Sequence, residues 1–280
     1  MIKHYIVTYN NNSVLDTCLK TLIPTLESYN SDEYKIFIIN NHTNFHISDY
    51  FLDKVEVIHN QTRPDFSTGH LTRNWNQAII NGFRDLDNPD CDIVITSQND
   101  TTFTPNFIER VKELHKDYDL IQLGAGDTYM SYTPNAIKKV GLWDERFCNI
   151  GYQESDFFFR SFLYNKDRTS INDYYHGRLF NQLSGNGITT DVFRSGHLRG
   201  EESHLESLKY HQYQLNLYLH KWHHPSDDIK KTSLYWHELD TFNGLRPKVA
   251  SYIYYPYFER GYDKNTFIAQ KYIGWETFFE

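Results

Sequence analysis

Cysteine is scarce in this chain. Its 280 residues include three, Cys18, Cys91 and Cys148. They are far apart, odd in number and show no C-x-x-C spacing. That argues against a disulfide framework and against a zinc site built mainly from thiolates. No apolar run approaches the roughly 18 residues of a membrane-spanning helix. The opening MIKHYIVTYNNN reads as a strand and a loop rather than a secretory signal. Dense Lys/Arg runs are missing as well. With a formal net charge of −8, the chain lacks the basic footprint of sequence-independent nucleic-acid binding, and no nucleic-acid partner is expected. There is no internal repeat and no low-complexity linker. N-x-S/T sequons begin at Asn11, Asn41, Asn60 and Asn99. Two of them fall in segments assigned below to the functional cleft, where glycans would block function. These features together point to a reducing cytosol.

What is present fits a folded protein: 39% hydrophobic and 23% charged residues. The aromatic share is high at 16%. It suits stacking on bases and sugars, but a Tyr-rich core accounts for much of it. Residues 4–9 (HYIVTY) read as a first strand, followed by a polar turn and Ser13 as a helix N-cap. Leu15, Cys18, Leu19, Leu22 and Leu26 recur at helical spacing, and Pro24 should kink or split that helix. Further strands are expected at 34–39, 55–58, 92–96 and 120–123. Helices are expected around 71–83 and from Pro105 onward. Strands alternating with helices predict a largely parallel sheet in an α/β sandwich. Ligands then bind beyond the carboxyl ends of the strands, so the segments after Tyr9, Ile39 and Thr96 should converge on one cleft. Around 174–200 the chain turns polar and Gly-rich, as a mobile lid would. Helical spacing returns over 204–220, and the aromatic-rich remainder reads as an appendage. The expected division is a main domain over 1–205 and a C-terminal helical appendage over 206–280 packed on it.

Three segments could carry chemistry. Ser97-Gln98-Asn99-Asp100 ends a strand, where a carboxylate can hold Mg²⁺ or Mn²⁺ against a leaving diphosphate. An Asp in such a place is by itself usually a turn residue or helix cap. Gly151-Tyr152-Gln153-Glu154-Ser155-Asp156 opens a helix. Acidic residues there are favoured by the helix dipole, and one of them facing the cleft could act as a general base. His197 lies in a Gly-flanked loop and could reach a diphosphate or its metal.

Taken in order, six segments resemble the family-2 glycosyltransferases of GT-A fold. Ile6-Val7-Thr8-Tyr9-Asn10 is similar to the family's opening strand and nucleotide loop, and Ile39-Asn40-Asn41-His42-Thr43 to its "VDNxS" segment. Thr72-Arg73-Asn74-Trp75-Asn76 resembles "ARNxG", and Ser97 to Asp100 stands in place of "DDD". Asp144-Glu145-Arg146-Phe147 through Glu154-Ser155-Asp156 resembles "DExF…gxEDxD". His197 to Ser203 resembles "HxxGxS". The resemblance covers about residues 4–203; each motif is weak alone, and the ordered set is more specific. It implies a Rossmann-like, mostly parallel mixed sheet and an inverting sugar transfer from a nucleotide-sugar, UDP-sugars favoured, to a glycan or other acceptor. It implies that Thr8, Tyr9 and Asn40 hold base and ribose, with Asn10 and Asn99 in the same nucleotide-binding set. Arg73 touches base or diphosphate. Asp100 and His197 serve a Mn²⁺ or Mg²⁺ ion. Asp156 is the expected base, with Glu154 as runner-up or acceptor contact. Gln98 and Asn40 depart from the family's acids. That weakens the metal motif and leaves GDP- or dTDP-sugars open.

Other readings stand beside this one. Gly124-Ala125-Gly126 suggests a dinucleotide site, but Tyr129 stands where G-x-G-x-x-G needs its third Gly. Trp222-His223-His224 lacks the partners for a four-ligand zinc site and reads as a helix end. A sugar nucleotidyltransferase would want a Gly-rich, basic phosphate loop after the first strand, and TYNNNS is neither. A GT-A-like protein that only binds a glycan or nucleotide is the alternative of a different class.

Overall fold

The computed structural model of the chain describes residues 1–8, 12–41, 44–60, 71–123, 127–147, 152–164, 193–194 and 211–222. The strands are β1 (Ile2–Thr8), β2 (Tyr34–Asn40), β3 (Glu56–His59), β4 (Ile93–Gln98), β5 (Thr101–Thr102), β6 (Leu120–Leu123), β7 (Tyr129–Tyr132) and β8 (Phe193–Arg194). The helices are α1 (Asn12–Leu22), α2 (Leu71–Phe83), α3 (Phe107–Leu114), α4 (Pro134–Val140), α5 (Tyr152–Tyr164) and α6 (His211–Trp222). Six strands form one sheet in the order β3-β2-β1-β4-β7-β6. β1, β2, β3 and β4 run parallel, whereas β7 is antiparallel to both β4 and β6. The fold is therefore a mixed, mostly parallel sheet flanked by helices.

The register follows from which side chains need burial. Alternate residues of a strand face opposite sides of the sheet. Tyr5 and Val7 of β1 join Trp75, Ile79 and Phe83 of α2 on one face. Ile2 and Ile6 join Leu15 and Leu19 of α1 and Ile108 and Val111 of α3 on the other. Strands covered on both faces read as near-continuous apolar runs, as YKIFII and DIVIT do. Helix α2 lies against β4 at Gly82. A Cβ there would meet Val94 Cγ2 at 2.3 Å, so the close approach requires a residue without one.

Two local expectations are adjusted. Helix α1 starts at Asn12, so Ser13 lies inside its first turn instead of capping it. Asn12 itself ties down the neighbouring loop, its Oδ1 accepting from His46 N at 3.1 Å. The expected break at Pro24 occurs: α1 ends at Leu22 and a single 3₁₀ turn, Ile23–Leu26, carries the proline at its start. Strand β7 was not foreseen. It is four residues long, too little for a period-2 pattern to register. Cys18 and Cys91 are buried free thiols, and burial pushes Cys91 up to about 12. Cys148 lies outside the described residues.

Helix α6 adds Tyr218 and Trp222 to the core on the α2 side of the sheet, with Tyr218 against Phe147 and Tyr152. The expected domain boundary near residue 205, and the remainder of the appendage after residue 222, lie outside the described residues. So does the proposed lid, except for β8, which pairs antiparallel with β5. Among the described residues no helix is long and apolar enough to cross a membrane.

Two histidines, His4 fully buried and His115 half-buried, make the fold acid-sensitive. His4 lies between Tyr34 Oη (2.6 Å) and Ser97 Oγ (2.8 Å). His115 lies between Tyr118 O (2.9 Å) and Ser131 Oγ (2.8 Å). Burial lowers His4 to about 3 and His115 to about 4 from an ordinary 6.5. The unfolded chain protonates both below 6.5, whereas the folded chain leaves them neutral until those lower values. Stability from this source is therefore complete above pH 6.5 and is lost as pH falls toward 4. The slope approaches ~1.4 kcal/mol per pH unit for each histidine. Urea titrations from pH 7 to 5 should show this decline, and His115→Asn should reduce its steepness by about one proton. An unchanged slope in that variant would rule His115 out as a source.

Candidate active site

The carboxyl ends of β1, β2 and β4 converge, as parallel α/β sheets require. Thr8 ends β1 and is fully buried; its Oγ1 accepts from Asn99 Nδ2 at 2.9 Å. The backbone links the same ends, Asn41 N donating to Thr8 O (3.2 Å) and Asn99 N to Val7 O (3.1 Å). Asn40 ends β2, is buried, and places its Nδ2 3.0 Å from His59 Nδ1. Thr8, Asn40 and Asn99 thus lie along one sheet edge. Tyr9 and Asn10, expected in the same set, are outside the described residues.

Carboxamides fill the ground between β3 and the start of α2. Asn60 Nδ2 lies 2.9 Å from Asn41 Oδ1, 3.2 Å from Asn74 Oδ1 and 3.0 Å from Gln77 Oε1. Gln77 Nε2 returns a bond to Asn60 Oδ1 at 3.0 Å. Arg73, on the same turn of α2, lies 3.5 Å from Glu145 Oε2, and Asn76 donates to Glu145 Oε1 at 2.8 Å. The helix start is thereby tied to the Asp144-Glu145-Arg146-Phe147 segment.

Asp127, buried after β6, ties the end of β4 to the start of α5. Its carboxylate accepts from Gln98 Nε2 (2.9 Å), Trp75 Nε1 (2.8 Å) and Gln153 Nε2 (2.9 Å). This explains Gln98, the first position of the strand-end motif. An acid there would face the Asp127 carboxylate, whereas an amide donates to it. The Asp127 backbone N–H lies 3.5 Å from Glu154 Oε1. Glu154, in the first turn of α5, is thus held next to the segment that anchors the end of β4.

Asp156 does not fit the general-base role expected of it. It is fully buried. Its Oδ2 accepts from Arg160 Nε at 3.1 Å, and its Oδ1 takes Lys221 Nζ at 2.7 Å and Trp222 Nε1 at 3.1 Å. Lys221 also bridges to Asp144 Oδ2 at 2.9 Å, which Arg146 Nη2 meets at 2.6 Å. Burial alone would raise the Asp144 carboxyl, but Lys221 and Arg146 outweigh it and hold it well below the usual range. A carboxylate committed to two cations and an indole, with no exposed surface, is poorly placed to take a proton from an acceptor. The sequence pattern could not separate the two acids, because residues two apart on a helix point different ways.

Asp100, next to the end of β4, is buried. It stands close enough to Cys18 of α1 for its charge to add to burial in pushing that thiol up. Among the described residues no group of three or more His, Cys, Asp and Glu side chains could hold a metal ion. A hard divalent cation takes about six oxygen ligands, so Asp100 alone is not a resident metal site. His197, the other expected ligand, lies outside the described residues.

Sequence reasoning missed Asn60, Gln77 and Asp127. Asn60 follows a short strand, and only its N-x-T sequon marked it. Asp127 follows Gly124-Ala125-Gly126 in sequence, and an Asp after a Gly-rich stretch is ordinary. Their partners are 14 to 52 residues away in sequence, so no local signal could have found them.

No protein-family model matches the chain, and no curated protein matches it. Among solved structures, the chain is similar to S. aureus TarS 1-349 at 10% identity and a TM-score of 0.42, over 58% of this chain and 55% of that one. It is similar to the mannosyltransferase PcManGT from Pyrobaculum calidifontis, in complex with GDP-Man and Mn²⁺, at 10% identity and a TM-score of 0.41, over 57% and 51%. It is also similar to glucosyl-3-phosphoglycerate synthase from Mycobacterium tuberculosis, in complex with Mn²⁺, UDP-Glc and phosphoglyceric acid, at 9% identity and a TM-score of 0.36, over 50% and 58%. The chain spans little more than half the length of each of these proteins.

Proposed function

We propose that the chain is a GT-A-type inverting glycosyltransferase. It moves a sugar from a nucleotide-sugar, with UDP-sugars favoured, to a hydroxyl of a glycan or glycosylated acceptor. One observation carries this reading: a continuous hydrogen-bonded edge joins the proposed nucleotide residues to a helix-borne acid. It runs from Asn40 and Asn41 through Thr8 to Asn99 at the end of β4. From Gln98, the residue before Asn99, it continues through Asp127 to Glu154. Thr8, Asn40, Gln98, Asn99 and Glu154, drawn from four of the six sequence segments, lie on that edge, and the segment from His197 to Ser203 is outside the described residues.

Within this reading Thr8 and Asn40 meet the base and ribose, with Tyr9, Asn10 and Asn99 in the same set. Arg73 lies toward the base or diphosphate. The acceptor oxygen attacks the anomeric carbon as the bond to the leaving phosphate breaks, and its proton passes to the Glu154 carboxylate. Glu154 is preferred to Asp156 because Asp156 is committed to Lys221 and Arg160. A bound Mn²⁺ or Mg²⁺ would neutralise the leaving diphosphate. Asp100 would be one ligand, with the donor's own phosphates and His197 completing the set. The β5–β8 register supports this, bringing Arg194 opposite Thr101, three residues before His197. A cytosolic setting and a main domain over 1–205 with an appendage over 206–280 belong to the same proposal.

A second reading has one observation behind it. Gln98 is committed to Asp127, which leaves Asp100 as the single acid of the strand-end motif and favours a protein that binds a nucleotide without transferring its sugar. Release of nucleoside diphosphate from UDP- and GDP-sugars, with Mn²⁺ or with EDTA, separates the two. The transferase reading expects enzyme-dependent release that EDTA suppresses. It also expects Asp100→Ala to be slower by at least ~10²-fold. Binding of UDP by calorimetry with no release from any donor would leave the binding-module reading standing.

A further inference from the structure

Lys221 joins two ion pairs that are otherwise local. Asp144 holds Arg146, two residues on, through Nε at 2.9 Å and Nη2 at 2.6 Å. Asp156 holds Arg160, one helical turn on, at 3.1 Å. Each carboxylate therefore has a guanidinium from its own element before Lys221 is counted. Lys221 comes from α6 and is fully buried. Its Nζ lies 2.9 Å from Asp144 Oδ2 and 2.7 Å from Asp156 Oδ1. An ammonium only donates, and it has three hydrogens for these two oxygens, so the polarity of the bridge is fixed. The segment at one end of the bridge is fastened to α2. Asn76 brackets Trp143, donating to its O at 2.9 Å and accepting from its N at 2.8 Å, and donates to Glu145 Oε1 at 2.8 Å. Thr72 Oγ1 donates to Phe147 O at 3.0 Å. At the other end is α5, with Glu154 in its first turn, two residues before Asp156.

We propose that Lys221 is a positioning residue for sugar transfer. By holding α5 against the segment fastened to α2, it sets the Glu154 carboxylate relative to the donor side of the cleft, which makes α6 part of the catalytic unit. The inference rests on the reading of Glu154 as the base and deepens it. Trp143 and Phe157 also join the two elements, stacked at 4.2 Å with 9° between their planes. Stacked faces can slide past one another, whereas a bridge of two charge-assisted bonds has a defined geometry. Buried ion pairs add little net stability over apolar packing, and fixing register is their best-attested use. A base must lie within hydrogen-bond reach of the proton it takes, so a shift of α5 acts on the chemical step and leaves nucleotide binding intact.

Lys221→Met tests this on the full chain. Met keeps the apolar stem, and Asp144 and Asp156 keep their guanidinium groups, so the urea midpoint should stay close to that of the unmodified chain. Activity is the release of nucleoside diphosphate, with Mn²⁺ and saturating donor, from the UDP- or GDP-sugar that the unmodified chain cleaves fastest. A misplacement of about 1 Å can cost ~10²-fold, and a loss of at least ~10-fold is expected here. Affinity for the matching nucleoside diphosphate, by calorimetry, should not change. In the Glu154→Gln background Lys221→Met should cost nothing further, because the group it positions is already gone. A purely structural role would add the same loss in both backgrounds, which would overturn the proposal, as would a normal rate in Lys221→Met. If Lys221→Met fails to fold, Trp222→Phe carries the same test. It removes the indole bond from α6 to Asp156 Oδ1, 3.1 Å long, and leaves every charge in place. Its loss of rate should likewise vanish in the Glu154→Gln background; no loss, or an equal loss in both, overturns the inference. A near-normal rate in Glu154→Gln, or no release by the unmodified chain, removes the base reading itself, and this inference with it.

Discussion

Replacing Glu154 with Gln is expected to lower sugar transfer by at least ~10²-fold, the usual contribution of a positioned general base, with the fold and nucleotide affinity retained. Glu154 sits in the first turn of α5, with its Oε1 3.5 Å from the Asp127 backbone N–H. Gln keeps that contact, because its carbonyl oxygen can accept the same bond, and it removes only the ability to take a proton. Single-turnover transfer with saturating donor isolates the chemical step, and UDP affinity by calorimetry is the control. Turnover within a few fold of the unmodified enzyme would remove Glu154 from the mechanism. A parallel loss of UDP affinity would mean that Glu154 holds the donor and not the acceptor.

Asp156→Asn should have the opposite signature, a large loss of stability. Asp156 and Asp144 together face Lys221, Arg160 and Arg146, and the Asp156–Lys221, Asp156–Arg160 and Asp144–Lys221 pairs are almost wholly buried. Neutralising Asp156 leaves Lys221 and Arg160 short of countercharge in a site with little water to replace it. Breaking a buried ion pair from one side costs about 3–5 kcal/mol, a large fraction of a domain's stability. Helix α6, which carries Lys221 and Trp222, should loosen first, since Asp156 holds both. Urea unfolding measures the cost, and protease sensitivity of the α6 region locates it. Lys221→Met in the Asp156→Asn background should recover part of the loss, because the remaining buried charges then balance more closely. A variant of unchanged stability with abolished turnover would return the base role to Asp156.

The two acids illustrate what a linear pattern can and cannot carry. In the sequence both read as acids near a helix start, where the dipole favours them, although only Glu154 lies in the first turn of α5. What separates them is Lys221, 65 positions beyond Asp156 in the chain and brought beneath it by the docking of α6. The same holds at the strand-end motif. Gln98 reads as a degraded metal ligand until Asp127 is seen next to it, and then its amide has a reason. Asn60 carried no functional signal, yet its amide meets those of Asn41, Asn74 and Gln77.

The sequence by itself determined the layers of this protein. Apolar runs in YKIFII and DIVIT, helical spacing from Leu15 to Leu22 and around Trp75, and the break at Pro24 are local properties. Burial of one strand face or one helix stripe leaves them little choice. The sequence also placed Thr8, Asn40 and Asn99 at one edge, because parallel strands deliver their carboxyl ends together. Only the tertiary structure decided which acid is buried as a counter-ion, which amides meet around Asn60, and that β7 runs antiparallel beside β4. Those outcomes depend on hydrogen bonds and ion pairs between residues distant in the chain, whose energy exists only after the elements have packed and excluded water.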